Sequence, residues 1–254
     1  LTAELMDLGY GKNDRYNFGG IKLKGDIDKG IGQIDIDSDN PILNLKSRFD
    51  ALLNKKNTNI TFSVDMRQID FYALNITPEP FKMGMCLHVD GSTNLKDAHK
   101  VNGEINDIVL VAKDTIFRPK DLAMNVLAYP DTTYADIHAG DFMLNLDGHD
   151  GYMDLLENSQ NFITRANQQL QRRYLDQDSL RLLLPRLALN VSSGKDNPIA
   201  YYLRTQGYDF REFDLDVSAN PSSGLNGNGH IYDINANGIV LDTIQLNLFQ
   251  DTTG

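Results

Sequence analysis

The feature that most constrains this chain is a two-residue rhythm of apolar side chains. Ile60, Phe62, Val64 and Met66 alternate with Thr61, Ser63 and Asp65, and Met83, Met85, Leu87 and Val89 alternate with Gly84, Cys86 and His88. Successive side chains of a strand point to opposite faces, so this spacing predicts strands with one apolar and one polar face. Weaker copies stand at Ile21/Leu23, Ile34/Ile36 and Leu43/Leu45, and further runs at Leu122/Met124/Val126 and Phe142/Leu144/Leu146. The rhythm returns late in the chain at Phe213/Leu215/Val217 and Ile244/Leu246/Leu248. Asp28-Lys29-Gly30, Asp39-Asn40-Pro41, Asp90-Gly91 and Asn102-Gly103 are expected as the turns between strands, because Asx, Pro and Gly supply turn geometry. The same expectation covers Asn228-Gly229 and the run Gly224-Leu225-Asn226-Gly227.

After Gly151 the period changes. Tyr152, Leu155, Leu156, Ser159, Phe162, Ile163, Ala166 and Leu170 recur at three-and-four spacing, with Asp154, Glu157, Asn161, Arg165 and Gln168 opposite them. This predicts an amphipathic helix packed on the sheet. A second helical stretch runs through Leu180, Leu183 and Leu184 to Pro185. A third is written in its caps, with Asn197 as N-cap, Pro198 in the first turn and Gly207 after the end. The expected division is therefore a β segment over 1–150, a helical segment over 151–207 and a β segment over 208–254.

The chain also resembles itself. Asn102-Gly103-Glu104-Ile105-Asn106-Asp107-Ile108 is matched by Asn228-Gly229-His230-Ile231-Tyr232-Asp233-Ile234, and each copy is followed by Asp-Thr-Ile, at Asp114 and at Asp242. Repeated strand units stacked side by side imply an extended sheet.

Composition narrows the function classes. The chain carries 24 Lys+Arg against 35 Asp+Glu, a net charge of −11, with no basic run to neutralise a row of phosphates, so nucleic acid is not an expected partner. The single cysteine, Cys86, allows no internal disulfide and is expected to be a small wall residue. His88, His99, His138, His149 and His230 stand singly, without metal-ligand spacing. Asp35, Asp37 and Asp39 open like a calcium loop, but Lys46 stands where its acidic twelfth ligand belongs. Asp147, His149 and Asp150 come nearest to an acid/base pair acting on a glycan, although the chain has no Trp to supply a sugar platform. No cofactor or metal is expected, and the chain is not expected to be an enzyme. No apolar run is long enough to cross a membrane as a helix, and the chain opens at Leu1 as a fragment cut from a longer protein would.

Two stretches carry a family resemblance. The first runs from Gly32-Gln33-Ile34-Asp35-Ile36-Asp37 through Pro41-Ile42-Leu43-Asn44-Leu45-Lys46 and Asn59-Ile60-Thr61-Phe62-Ser63-Val64-Asp65-Met66. It ends in Ile69-Asp70-Phe71-Tyr72-Ala73-Leu74-Asn75-Ile76. The second comprises Gly194-Lys195-Asp196-Asn197-Pro198, Gln206-Gly207-Tyr208 and Leu225-Asn226-Gly227. Both resemble the TamB/AsmA-like family of translocation and assembly module proteins. The resemblance implies an elongated, curved, taco-like sheet of repeated short antiparallel strands with an apolar inner face, here with an inserted helical segment. It implies a periplasmic location in a cell-envelope protein anchored in the inner membrane, phospholipid as cargo between two membranes, and an outer-membrane β-barrel assembly protein as a partner. The expected lipid-facing residues are Ile60, Phe62, Val64, Met66, Met83, Met85, Leu87, Val89, Phe213, Leu215, Val217, Leu246 and Leu248. The alternative is a closed β-scaffold that assists outer-membrane protein assembly through protein contacts. Cut sheet edges are expected to let a fragment self-associate.

Overall fold

The computed structural model describes residues 2–5, 9–10, 16–17, 20–54, 57–113 and 115–250, the first three of these stretches as backbone. The fold is mainly β, an antiparallel open sheet with a helical insert. The chain divides into two compact units, residues 1–96 with 100–124 and residues 97–99 with 125–254.

The first unit contains β1 (Thr2–Leu5), β2 (Gly9–Tyr10), β3 (Tyr16–Asn17), β4 (Ile21–Asp28), β5 (Ile31–Asp39) and β6 (Leu43–Leu52). It continues with β7 (Thr58–Asp70), β8 (Phe81–Thr93), β9 (His99–Ala112) and β10 (Thr115–Phe117). β4 pairs with β1, and from β5 to β9 each strand pairs with the one before it, so this part of the sheet is a meander. The expected turn between β4 and β5 is present, with Lys29 at φ 48° and Gly30 at φ 86°, the two left-handed positions that a tight hairpin needs. Between β7 and β8 the Asp70-Phe71-Tyr72-Ala73-Leu74-Asn75 stretch folds back on itself. The Asp70 carboxylate accepts the Ala73 N–H at 2.9 Å, and Asn75 turns left-handed at φ 53°.

Pairing sorts the side chains into rows, because residues directly opposite in an antiparallel ladder share a face. One row is Leu23, Ile36, Ser47, Val64 and Leu87; the next is Gly25, Ile34, Phe49, Phe62 and Val89. Two more are Ile21, Ser38, Leu45, Met66, Met85 and Ile27, Gly32, Ala51, Ile60, Gly91. The interleaved rows carry charge in alternating sign: Lys22, Asp37, Lys46, Asp65 and Lys24, Asp35, Arg48. Opposite charges placed side by side support this register, and a slip by one residue would put lysine on the apolar face.

The second unit contains most of β11 (Leu122–Ala128), then β12 (Thr133–Ala139), β13 (Phe142–Gly148), α1 (Tyr152–Gln171), α2 (Gln177–Arg181) and β14 (Leu187–Ser193). After these come α3 (Pro198–Thr205), β15 (Tyr208–Asp209), β16 (Glu212–Asn220), β17 (Gly224–Ala236) and β18 (Ile239–Leu248). The stretch expected as helical thus also holds a strand. Leu187, Leu189 and Val191 alternate, and β14 pairs with both β13 and β16. The apolar rows are Ile137, Leu144, Val191, Leu215, Gly229, Leu246 and Ala135, Leu146, Leu189, Val217, Gly227, Leu248.

α1 packs on one end of that face. Leu155 is buried at 6% exposure above Gly148, where any side chain would collide with its Cδ1. Burying such a leucine contributes about 2 kcal/mol. The expected single apolar stripe is split: Leu155, Phe162, Ala166 and Gln169 form the packed side, while Leu156, Ile163 and Leu170 stay exposed. α3 begins as its sequence says, with the Asn197 side chain accepting the Ala200 N–H at 2.8 Å. Asn197 is wholly buried, and its amide donates to Asp141 Oδ1, Ser193 Oγ and Gly194 O, so every polar atom of the cap is satisfied.

Several glycines expected at turns lie inside strands. Asp90-Gly91 is in β8, Asn102-Gly103 in β9, and Gly224 to Gly229 in β17. Gly224, at φ 79°, does close the turn into β17, but for Gly91, Gly103, Gly227 and Gly229 the reason is close approach rather than turning. A Cβ on Gly91 would lie 3.2 Å from the Lys100 carbonyl oxygen, and one on Gly229 3.2 Å from Leu215 Cδ1. The internal repeat has a backbone counterpart: Asp107 at φ 53° and Asp233 at φ 51° are both left-handed within their strands. Gly103 and Gly229 each leave room for an apolar side chain of a neighbouring strand, Met124 and Leu215 respectively. In both copies the next strand pairs back antiparallel, β10 on β9 and β18 on β17, but the Asp-Thr-Ile stands at different places in it. Asp242, Thr243 and Ile244 lie inside β18, Thr115 and Ile116 begin β10, and Asp114 lies outside the described residues.

Candidate functional site: the apolar sheet faces

Each unit presents one apolar sheet face, and the expected lipid-facing residues fall on it. Ile60, Phe62, Val64 and Met66 stand directly opposite Gly91, Val89, Leu87 and Met85, and Met83 stands opposite Ile69. In the second unit Phe213, Leu215 and Val217 face Ile231, Gly229 and Gly227, with Ile244, Leu246 and Leu248 beyond them. The two groups belong to different units and are brought together only within each. Sequence alternation missed members contributed by β4 to β6 and by β14, among them Phe49, Ala51 and Leu189.

These residues are not packed as a core is packed. Of the expected wall in the first unit, Val64 alone is buried, and its neighbours Ile60, Phe62, Met66, Met83, Met85, Leu87 and Val89 are all half-buried. Further along the same face Ile27 is 79% and Ile34 39% exposed. Among the described residues the first unit has no helix to lay over this face. In the second unit α1 and α2 cover the end nearest Gly148, leaving Leu246 at 45% exposure.

Two depressions open on the polar faces. One of about 480 Å³ in the first unit is walled by Lys22, Lys24, Asp37, Lys46 and Arg48. Long Lys and Arg stems standing on either side of short residues such as Ser63 create such a hollow. One of about 240 Å³ in the second unit lies among Asn145, Asn190, Asp214, Asp216 and Asn228. A smaller cleft of about 150 Å³ joins the helices to the apolar face, between Phe162, Leu175, Leu180, Leu225 and Leu248.

Cys86, expected as a wall residue, lies instead on the charged face opposite Asp65. Burial pushes its thiol pKa up, and the carboxylates of Asp65 and Asp107 push it further, so the nucleophilic thiolate is disfavoured. Beside it, Ser63 Oγ and His88 Nδ1 are 2.9 Å apart, His88 Nε2 is 2.9 Å from Asp90, and the Thr61 hydroxyl donates to Asp90 at 2.8 Å. Thr61 and then His88 hold the Asp90 carboxyl below the usual carboxylate range. This Ser-His-Asp series lies on a strand pair whose amides are engaged in ladders on both sides of β7, so it lacks the free N–H donors that acyl transfer requires. Its role is to clasp β7 to β8.

The Asp147/His149/Asp150 group dissolves into structural contacts. Asp147 is exposed on β13, whereas Asp150 is taken by Arg186, whose backbone N–H donates at 3.0 Å and whose Nε donates at 2.8 Å. The hydrogen bond from the Arg186 side chain, ahead of other effects, holds the Asp150 carboxyl below its usual range. Asp35 and Asp37 stand on the charged face of β5 opposite Arg48 and Lys46. Among the described residues no group of three or more His, Cys, Asp or Glu is placed to hold a metal ion, and no helix is long and apolar enough to cross a membrane. Comparison with known proteins finds no matching family model, no matching curated protein and no matching solved structure.

Proposed function

We propose that this chain is a wall segment of an intermembrane lipid conduit, of the kind that its resemblance to the TamB/AsmA-like family implies, and that it works without catalysis in the periplasm. The observation that carries this reading is the apolar face of the first unit. Its rows run from β4 to β8 with only Ser38, Ser47 and glycines among the apolar residues, yet most of their side chains are only half-buried. A face of Ile, Leu, Val, Met and Phe with charge confined to the other side offers hydrocarbon contact and no fixed polar partner. That suits acyl chains better than a shaped metabolite. Each methylene moved from water onto such a surface gains at most about 0.8 kcal/mol, so a few contacts along an acyl chain hold it while allowing it to slide. Headgroups would remain in water at the rim.

The protein purified without detergent is expected to carry phospholipid recoverable by organic extraction and mass spectrometry. Phe62→Asp and Leu87→Asp, each placing a carboxylate in the middle of the face, are expected to remove it. Full lipid occupancy in either variant, with an unchanged circular dichroism spectrum, would overturn the assignment of the wall.

A further inference from the structure

We infer that the corner where α1 ends and α2 begins docks on an anionic phospholipid bilayer. Leu170, Tyr174 and Leu175 are 58%, 66% and 51% exposed there, and a group of large apolar side chains left in water is more informative than any one of them alone. Between them stand the exposed Arg172 and Arg173. The chain as a whole carries a net charge of −11, yet residues 165–175 hold Arg165, Arg172 and Arg173 and no carboxylate. Beyond it Asp176 caps α2 through the Ser179 N–H and Asp178 pairs with Arg181, so residues 165–181 together hold four arginines against two carboxylates.

The corner is held on a fixed backbone. Buried Gln169 donates to Ser179 Oγ at 3.1 Å and accepts the Asp176 N–H at 2.6 Å, and Arg173 makes the bend in a left-handed conformation at φ 55°. Leucines that enter the acyl boundary, a tyrosine at headgroup depth and arginines that reach lipid phosphates form the chemistry of an interfacial contact. Leu175 also lines the 150 Å³ cleft that leads past Phe162 and Leu180 to Leu225 and Leu248 on the apolar face. Docking stands independently of the conduit reading. The cleft as a way from bilayer to groove rests on that reading.

The chain contains no Trp, so Tyr174→Trp introduces a sole tryptophan at the corner, which can be excited apart from the tyrosines. Its emission is expected to shift to the blue on titration with phosphatidylcholine vesicles containing phosphatidylglycerol, and not with phosphatidylcholine alone. In this background Arg172→Ala with Arg173→Ala is expected to weaken binding about thirty-fold, from about five-fold per arginine, and added salt to weaken it further. Leu170→Asp with Leu175→Asp is expected to abolish it. No binding, equal binding to neutral vesicles, or an affinity unchanged by removing both arginines would overturn the proposal; because both arginines are exposed, that variant decides even if the aspartate variant does not fold. Protein that extracts free of lipid yet binds anionic vesicles would count against the conduit alone, whereas lipid-loaded protein that ignores vesicles would count against the docking corner alone.

Discussion

Asp150 illustrates how one residue ties distant parts of the second unit together. It accepts from the backbone and the side chain of Arg186, a residue 36 positions later, at the entry to β14. Its carboxyl is held below the ordinary 3.8, so its contribution to stability is complete above the unfolded-state value and is lost as pH falls through the lower folded-state value. Arg186→Ala is therefore expected to lower the urea midpoint at neutral pH, with the difference from wild type shrinking below pH 3.8 as both carboxyls become protonated. Urea titrations of both proteins across that range check it, and a difference that persists undiminished in strong acid would assign the loss to packing instead. The sequence singled out Asp150 but paired it with Asp147 and His149, its neighbours in the chain. The true partner is non-local, and charge spacing carries no information about which loop returns to which turn. Asn197 was the opposite case: a cap is a local device, so Asn followed by Pro and closed by Gly was enough to place α3.

At the scale of the element, the strands were legible because a half-buried face imposes a period of two. The strand glycines were not, because the same residue serves a tight turn and a close approach, and only the neighbouring strand distinguishes them. That distinction is testable. A Cβ on Gly227 would overlap the carbonyl oxygen of Asp216, a backbone atom, whereas one on Gly103 would meet the Met124 side chain, its Cε most closely. Gly227→Ala is expected to cost about 1 to 3 kcal/mol and Gly103→Ala less than about 1 kcal/mol, as measured by chemical denaturation. Equal losses would show that the strands can separate as easily as a methionine can swing aside. β14 escaped notice because its alternation, Leu187, Leu189 and Val191, follows directly on Leu182, Leu183 and Leu184. A continuous leucine-rich stretch hides the change of period. α1 was legible as a helix but not in its orientation, since an apolar arc wide enough for two contacts does not say which of them the sheet receives.

At the scale of the molecule, both the mainly β fold and the alternate-face arrangement followed from the sequence, while the order of strands around the helical insert did not. Helices placed between β13 and β14, and again between β14 and β16, leave the three strands adjacent. β18 pairs only with β17 among the described residues and is exposed over nearly its whole length, with Ile239 at 66% and Val240 at 71%. It carries no lysine or proline to discourage another strand. Concentration-dependent self-association is expected, and Thr243→Lys with Asn247→Lys, both on the polar face, is expected to suppress it in sedimentation velocity without altering the fold. Association unaffected by the two lysines would locate it elsewhere. The meander of the first unit has one further consequence. Because every strand from β5 to β9 pairs with its predecessor, each new hairpin finds a finished template as it forms, and no long loop must close before contact begins. Such a meander has low contact order for a β protein, and its strands can add in chain order while the remaining length is still unfolded.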